Sequence, residues 1–315
     1  MALPRGLLVH PEELDELWIK RLEKSDIRIL GLHPVGGKKA HESLQSLYED
    51  VRTGKYDARF QRLRDMGIEI EYEMHAMSWL MPRELFAEHP DWFRMNEEGE
   101  RVADFNLCPS HPDALDYVSA RSAELSRVLT PTTHRYHLWI DDVRDSFCHC
   151  PACRALTPSD QALAVYNAMV KGIRTMDPLA TQCYLAYQKT RPAPTSVQPA
   201  EGIFLEYAPF DRDFDRAMND PSSEKNATEG EPLPALLSFF GTKGAKVLEY
   251  WLDNSLFSKW TKPPKPFTLN GEVLWQDLAY YESLGFTDAT VFACYLGKDY
   301  EELHGAPDIE DYLKV

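Results

Sequence analysis

YHLWIDD, residues 136–142, is an apolar run of strand length that closes on two aspartates. A cysteine-bearing loop over 143–158 follows it. Residues 159–176, SDQALAVYNAMVKGIRTM, then repeat their apolar positions at helical spacing, and QCYLAY (182–187) is again a short apolar run. Strand, helix and strand in that order imply a parallel pair joined by a crossover. The same alternation continues in both directions. Upstream, strand-like runs fall at 6–10, 27–33 and 68–75; downstream, at 203–207, 246–251 and 290–295. Helical patterns occupy 11–24, a long stretch ending near 66, 112–129, 233–240 and 271–284. Residues 78–106 are irregular, and a proline-rich linker over 191–201 takes the place of one helix.

Eight strands are the number that closes a barrel, and 315 residues suit one (β/α)₈ unit of ~250 residues with insertions. The expected fold is therefore a single-domain α/β TIM barrel over 1–315. An open doubly wound sheet would carry a glycine-rich phosphate loop after its first strand. His10-Pro11-Glu12-Glu13 is nothing like one, and Gly36-Gly37-Lys38 is too short. The chain contains no internal repeat or low-complexity tract. A polar loop at 208–231 carries Asp211, Asp213, Asp215, Asp220 and Glu224. It reads as a solvated, mobile loop in preference to a lid.

Composition excludes some functions. Asp and Glu number 50 against 34 Lys and Arg, for a net charge of −16. No basic cluster is present to neutralise phosphates, so nucleic acid is not an expected partner. No run approaches the ~20 apolar residues of a membrane span. Residues 1–10 lack the apolar core and cleavage site of a secretory signal, which makes the cytoplasm the expected location of a chain starting here.

In such a barrel the active site lies at the C-terminal ends of the strands. The residues there are polar and aromatic: His10, His33, Glu73, His75, Trp79, Asp141, Asp142, Tyr187, Glu206, Tyr207, Glu249, Tyr250, Trp251, Asp253 and Tyr295. Glycosidic cleavage needs one carboxylic acid to protonate the leaving oxygen and a second carboxylate to attack the sugar or activate water. Aromatic rings stack on sugar faces. Asp142, Asp141, Glu249 and Glu206 are thus the catalytic candidates. His33, His75, Trp79, Tyr187, Tyr207, Trp251 and Tyr295 are the candidates for sugar binding. Strand alternation puts Asp142 on the face of Ile140 and Leu138, and Asp141 on that of Trp139 and His137. Asp142 is preferred as the acid because it lies closer to the rim, and two neighbouring carboxylates raise each other's pKa.

Six cysteines are present, and three of them form the C-x-C-x-x-C motif Cys148, Cys150, Cys153. Thiolates so spaced can face one tetrahedral Zn²⁺, with Cys108 as fourth ligand and His149 as its alternative. A structural Cys₄ zinc is expected, and no organic cofactor. A redox C-x-x-C belongs in a different, thioredoxin-like setting. Cys183 and Cys294 lie in strand patterns and read as ordinary buried thiols.

HPDWF (89–93), NLCPS (106–110), Asp141-Asp142 and CHCPAC (148–153), with Leu185-Ala186-Tyr187 and Glu249-Tyr250-Trp251, resemble the bacterial family "domain of unknown function 4838". That resemblance implies a glycoside-hydrolase-type barrel. The cysteine order is also similar to that of the family 42 β-galactosidases, which hold zinc with one cysteine before strand four and C-x-C-x-x-C after it. There an Asn-Glu pair ends strand four and supplies the acid/base, and a glutamate ending strand seven is the nucleophile. Glu249 matches the second; Asp141-Asp142 departs from the first. Three readings result: a glycosidase acting on a carbohydrate; a carbohydrate-binding barrel with a degenerate site; and a metal-dependent lyase or isomerase with His33, His75 and Glu73 as ligands.

Overall fold

The computed structural model describes residues 3–141 and 146–314. Eight parallel strands close into a (β/α)₈ TIM barrel in sequence order. They are β1 (Arg5–Val9), β2 (Ile29–Leu32), β3 (Glu69–His75), β4 (Arg135–Trp139), β5 (Thr181–Ala186), β6 (Ile203–Tyr207), β7 (Lys246–Glu249) and β8 (Asp288–Phe292). Closure runs through Arg5↔Ala289 to Leu8↔Phe292. Among the described residues, no helix is long and apolar enough to cross a membrane.

The helices outside the barrel start where the sequence caps them. Asp15 accepts the amides of Leu17 and Trp18 at 2.9 and 3.2 Å and starts the helix Glu16–Leu22. Thr157 and Asp160 form a reciprocal capping box on the helix Pro158–Ile173. The helix Gly271–Leu284 ends at Gly285 in the left-handed region, φ 88°. The helices Pro112–Ser126 and Pro158–Ile173 approach so closely that a Cβ at Gly172 would lie 1.8 Å from the carbonyl oxygen of Ser119.

Two expected runs are displaced. The eighth strand is Asp288–Phe292, not 290–295, because the buried Asp288 begins it and Tyr295 lies beyond its end. The seventh stops at Glu249, where the chain turns into the short helix Asn254–Phe257, capped by Asp253.

Barrel interiors of this kind are dominated by branched apolar side chains. Here the lower interior is charged. The Lys246 ammonium lies 2.5 Å from Glu73, 3.3 Å from Glu206 and 3.4 Å from Glu71, all four side chains fully buried. His137 lies 2.9 Å from Glu206 and 3.2 Å from Glu71. Arg135 pairs with Asp288 at 2.8 Å. Burial drives Glu71 and Glu206 toward protonation, but the charges of Lys246 and His137 outweigh it and hold both below the ordinary carboxylate range. For Glu73 burial prevails, joined by repulsion from Glu206 and Glu71, and its pKa is pushed up to about 7. For His137 burial opposes the charge, and the surrounding carboxylates overcome it to reach about 9.

Two measurements check this account. Gly172→Ala should cost about 1–3 kcal/mol of stability by overpacking, read as a lower urea midpoint; an unchanged midpoint would contradict the close helix contact. The second is pH dependence. Both Glu73 and His137 have folded pKa values above their unfolded ones. The stability from Glu73 is complete below 4.5 and lost as pH rises through about 7; that from His137 is complete below 6.5 and lost through about 9. The urea midpoint should therefore fall between about pH 5 and pH 9. A midpoint rising across that range would show that the interior charges are arranged differently.

Candidate active-site cleft

A cleft of about 840 Å³ opens at the C-terminal ends of the strands. His10, His33 and His75 line it from the ends of β1, β2 and β3, and Trp139 from β4. Tyr187, Tyr250 and Phe292 line it beyond β5, beyond β7 and on β8, and Tyr295 closes the side after β8. The His33 ring lies 5.5 Å from the Trp139 ring and 4.9 Å from Phe292, and Tyr250 stacks on Phe292 at 5.2 Å.

The three histidines share one arrangement. Nδ1 of His10 lies 2.8 Å from the carbonyl of His33, Nδ1 of His33 2.8 Å from that of Glu73, and Nδ1 of His75 3.0 Å from that of Ile140. A carbonyl only accepts, so each Nδ1 carries the hydrogen. Each ring thus binds the end of the next strand. Burial, then the neighbouring His10 and His75, hold His33 well below the usual histidine value, so it is neutral and its Nε2 is an acceptor.

The expected site residues divide by strand parity. On β7, Lys246 and the cleft-lining Leu248 and Tyr250 face inward, so Val247, Glu249 and Trp251 face the helices. Glu249 is fully buried there, 2.6 Å from Arg212, with the Tyr281 hydroxyl donating to it at 2.5 Å. Burial, against the Arg212 charge, raises it to about 7. Trp251 donates to Asp277 at 2.9 Å behind the barrel wall. Tyr207 is fully buried outside the barrel and donates to the Glu229 carbonyl at 2.8 Å. Trp79 is buried under the Arg121 guanidinium and donates to Gln45 at 2.7 Å. Glu206 does face inward, but sits below the cleft in the charged layer and accepts the Trp139 indole N–H at 2.8 Å. None of these five lines the cleft, whereas His33, His75, Tyr187 and Tyr295 do. Glu73, expected with His33 and His75 as a metal ligand, instead binds Lys246 below them.

Parity would also have found Trp139 and Tyr250, which share faces with His137 and Leu248. Asp253 lines the cleft after β7. Its Oδ1 accepts the Ser255 amide at 3.1 Å and hydroxyl at 2.5 Å and the Leu256 amide at 3.2 Å, and burial outweighs these bonds to raise its pKa. Asp141 stands at the end of β4. Its carboxylate meets Arg83 at 2.8 Å, and it lines a small recess that shares Leu185, Tyr187 and Gln188 with the cleft. Asp142 lies outside the described residues.

The loop at 208–231 leaves Asp211, Asp213, Asp215, Asp220 and Glu224 exposed or half-buried, as expected, but others of its polar residues are buried. Arg212 is fully buried between Glu249 and Asp277, at 2.6 and 2.7 Å. The buried Asn226 amide donates to the carbonyls of Asp213, Arg216 and Ala217 at 2.9–3.2 Å. Phe210 from this loop lines the cleft.

Cys108, Cys148, Cys150 and Cys153 form a buried cluster whose sulfurs all lie within 4.8 Å of one another and which could hold a metal. The thiols are free. Cys108 Sγ is 3.7 Å from that of Cys150 and 3.9 Å from that of Cys153. A tetrahedral ion with bonds of ~2.3 Å sets sulfurs about 3.8 Å apart, so the four residues fit zinc. The Met95 amide donates to Cys148 Sγ at 3.3 Å, and Arg101 approaches it at 3.8 Å. Two residues before Cys108, Asn106 accepts the Asp141 amide at 2.9 Å and donates to its carbonyl at 3.2 Å. The cluster is thereby connected to the end of β4.

The barrel resembles solved β-galactosidases. Gan42B, a GH42 beta-galactosidase, superposes with a TM-score of 0.52 at 14% identity, over 98% of this chain and 54% of that one. The β-galactosidase from the psychrophilic Marinomonas ef1 gives 0.52 at 11% identity, over 92% and 54%. The chain thus spans about half the length of each, and at these identities the likeness is one of fold alone, an eight-stranded parallel α/β barrel. No curated protein matches the sequence. The model of the family described as Domain of unknown function (DUF4838) matches residues 38–231. That is more than half of the 315 residues and takes in β3 to β6, the cysteine cluster and the anchored loop after β6, so the chain belongs to the DUF4838 family.

Proposed function

We propose that the protein is a glycoside hydrolase acting on a carbohydrate held in the cleft. The observation that carries this reading is the lining: three histidine rings, the neutral His33 among them, and stacked aromatic rings surround an open cavity that the Asp253 carboxyl also lines. Such a surface suits a sugar, which offers hydroxyl groups at its edges and C–H bonds on its faces. The acid is an aspartate at the end of β4, Asp141 or Asp142, which protonates the glycosidic oxygen as its bond to the anomeric carbon breaks. The second carboxylate is Asp253, which attacks that carbon or takes a proton from water. Glu206 and Glu249 become positioning residues. The first holds the Trp139 ring, and the second anchors the loop that carries Phe210.

The cysteine cluster is read as a structural zinc site. Zinc there supplies a cross-link and no chemistry, since four thiolates fill its coordination. Cys108 would then fix Asn106, and Asn106 the backbone of Asp141.

A second reading, a carbohydrate-binding barrel without turnover, is favoured by one observation: both glutamates expected to be catalytic lie in buried ion pairs.

A panel of aryl glycosides separates the two. Hydrolysis is expected, and Asp141→Asn and Asp253→Asn should each lower kcat by at least about 100-fold with the circular dichroism spectrum unchanged. Sugar binding with no turnover by the unaltered protein would favour the binding reading. Full activity of Asp253→Asn would remove that residue from the mechanism. For the metal, elemental analysis should find one zinc per chain, absent from Cys108→Ser, with a lower melting temperature in the variant. Protein purified without chelators that contains no zinc would refute the assignment.

A further inference from the structure

The cleft carries the opposite charge balance to the rest of the molecule. The chain has 50 acidic and 34 basic residues, yet three lysines, Lys38, Lys39 and Lys262, line the cleft against two carboxylates, Glu12 and Asp253. The groups differ in how far they are already matched. Asp253 is tied to the residues that it caps. Lys262 is paired with Asp299 at 2.6 Å, its ammonium over the Tyr295 ring. Lys38, Lys39 and Glu12 are exposed, and none of them makes an ion pair among the described residues, so two cations stand against one carboxylate. Local structure does not account for the two lysines either. They immediately precede the helix Ala40–Arg52, whose N-terminal end repels cations.

The segment after β7 shows a second unexplained feature. Trp260 is 61% exposed and lines the cleft. It and Lys259 both sit in the left-handed region, at φ 52° and 55°, unusual for residues with side chains. The Trp260 amide donates to the Ser255 carbonyl at 2.7 Å and that of Lys259 to Leu256 at 2.8 Å, which holds the turn. A strained turn that projects a large aromatic ring into water at the mouth of a cleft is best explained by a ligand that covers the ring.

We propose that the cleft takes an anionic oligosaccharide, with Lys38 and Lys39 facing its carboxylate or sulfate groups and Trp260 stacking on a sugar ring at the rim. The inference rests on the reading of the cleft as a glycan site. Lysines suit the role because a flexible point charge accepts either anion without the fixed geometry that a guanidinium imposes.

The test is calorimetric binding of the full chain to tetrasaccharides: acidic ones from polygalacturonate, hyaluronan and chondroitin sulfate, and neutral cello-, xylo- and galactotetraose. At least one acidic ligand should bind about tenfold tighter than every neutral one, with an affinity that falls as salt rises. The double variant Lys38→Gln/Lys39→Gln should abolish that preference and leave neutral ligands unchanged. Trp260→Ala should weaken the tetrasaccharide about tenfold and leave an aryl monosaccharide unaffected. Chondroitin sulfate carries carboxylates as well as sulfates, so tighter binding to it than to polygalacturonate and hyaluronan assigns sulfate as the recognised group, and equal binding of all three assigns carboxylate. Neutral ligands binding as tightly as acidic ones, or a double variant with its preference intact, would overturn the anionic assignment and leave the glycan reading standing. Binding of no saccharide of either kind would overturn the glycan reading itself.

Discussion

The ammonium group of Lys246 makes the barrel's charged interior possible. Glu71, Glu73 and Glu206 converge on it from β3 and β6, and without a cation their mutual repulsion in a low-dielectric space would be severe. His137 and Arg135 extend the pattern, so that positive and negative groups alternate across the floor. The cleft rests directly on this layer. Trp139 owes its orientation to Glu206, and the carbonyl that receives the His33 ring belongs to Glu73. The site's shape is therefore set from below by ion pairs as much as by apolar packing.

Around the rim, two buried attachments do similar work. Arg212 plugs the loop after β6 into the space between β7 and the helix Gly271–Leu284. The cysteine cluster joins the segment before the helix Pro112–Ser126 to the loop after β4, with Asn106 between it and Asp141. Both attachments use polar groups that are costly to bury and secure only when fully paired.

The number and order of strands were legible in the sequence because each was a compact apolar run between helical patterns. The interior was less so. Asp288 begins a strand with a charge, and the hydrophobic signal therefore placed β8 two residues late. Glu249 reads as a strand-end carboxylate in a linear list. Only the alternation anchored on the inward Lys246 turns it toward the helices, and a buried lysine is not a natural anchor when one looks for core residues. The four cysteines were legible because their spacing is itself a geometric statement. The anchoring of the loop at 208–231 was not, since the five carboxylates read there are exposed or half-buried and the anchors, Arg212 and Asn226, are buried residues that no pattern singles out.

The ring-to-carbonyl bonds of His10, His33 and His75 divide the mouth into two halves of different character. From β1 to β4 each strand end is laced to its neighbour, so a change at one would be felt by the next. From β6 to β8 the mouth is formed by separate excursions bearing Phe210 and Trp260, neither of which participates in that lacing. A lineage built on this scaffold could diversify by exchanging the second set of segments, altering what enters while the first half keeps its form. Heritable variation in ligand preference should accordingly accumulate on one side of the opening.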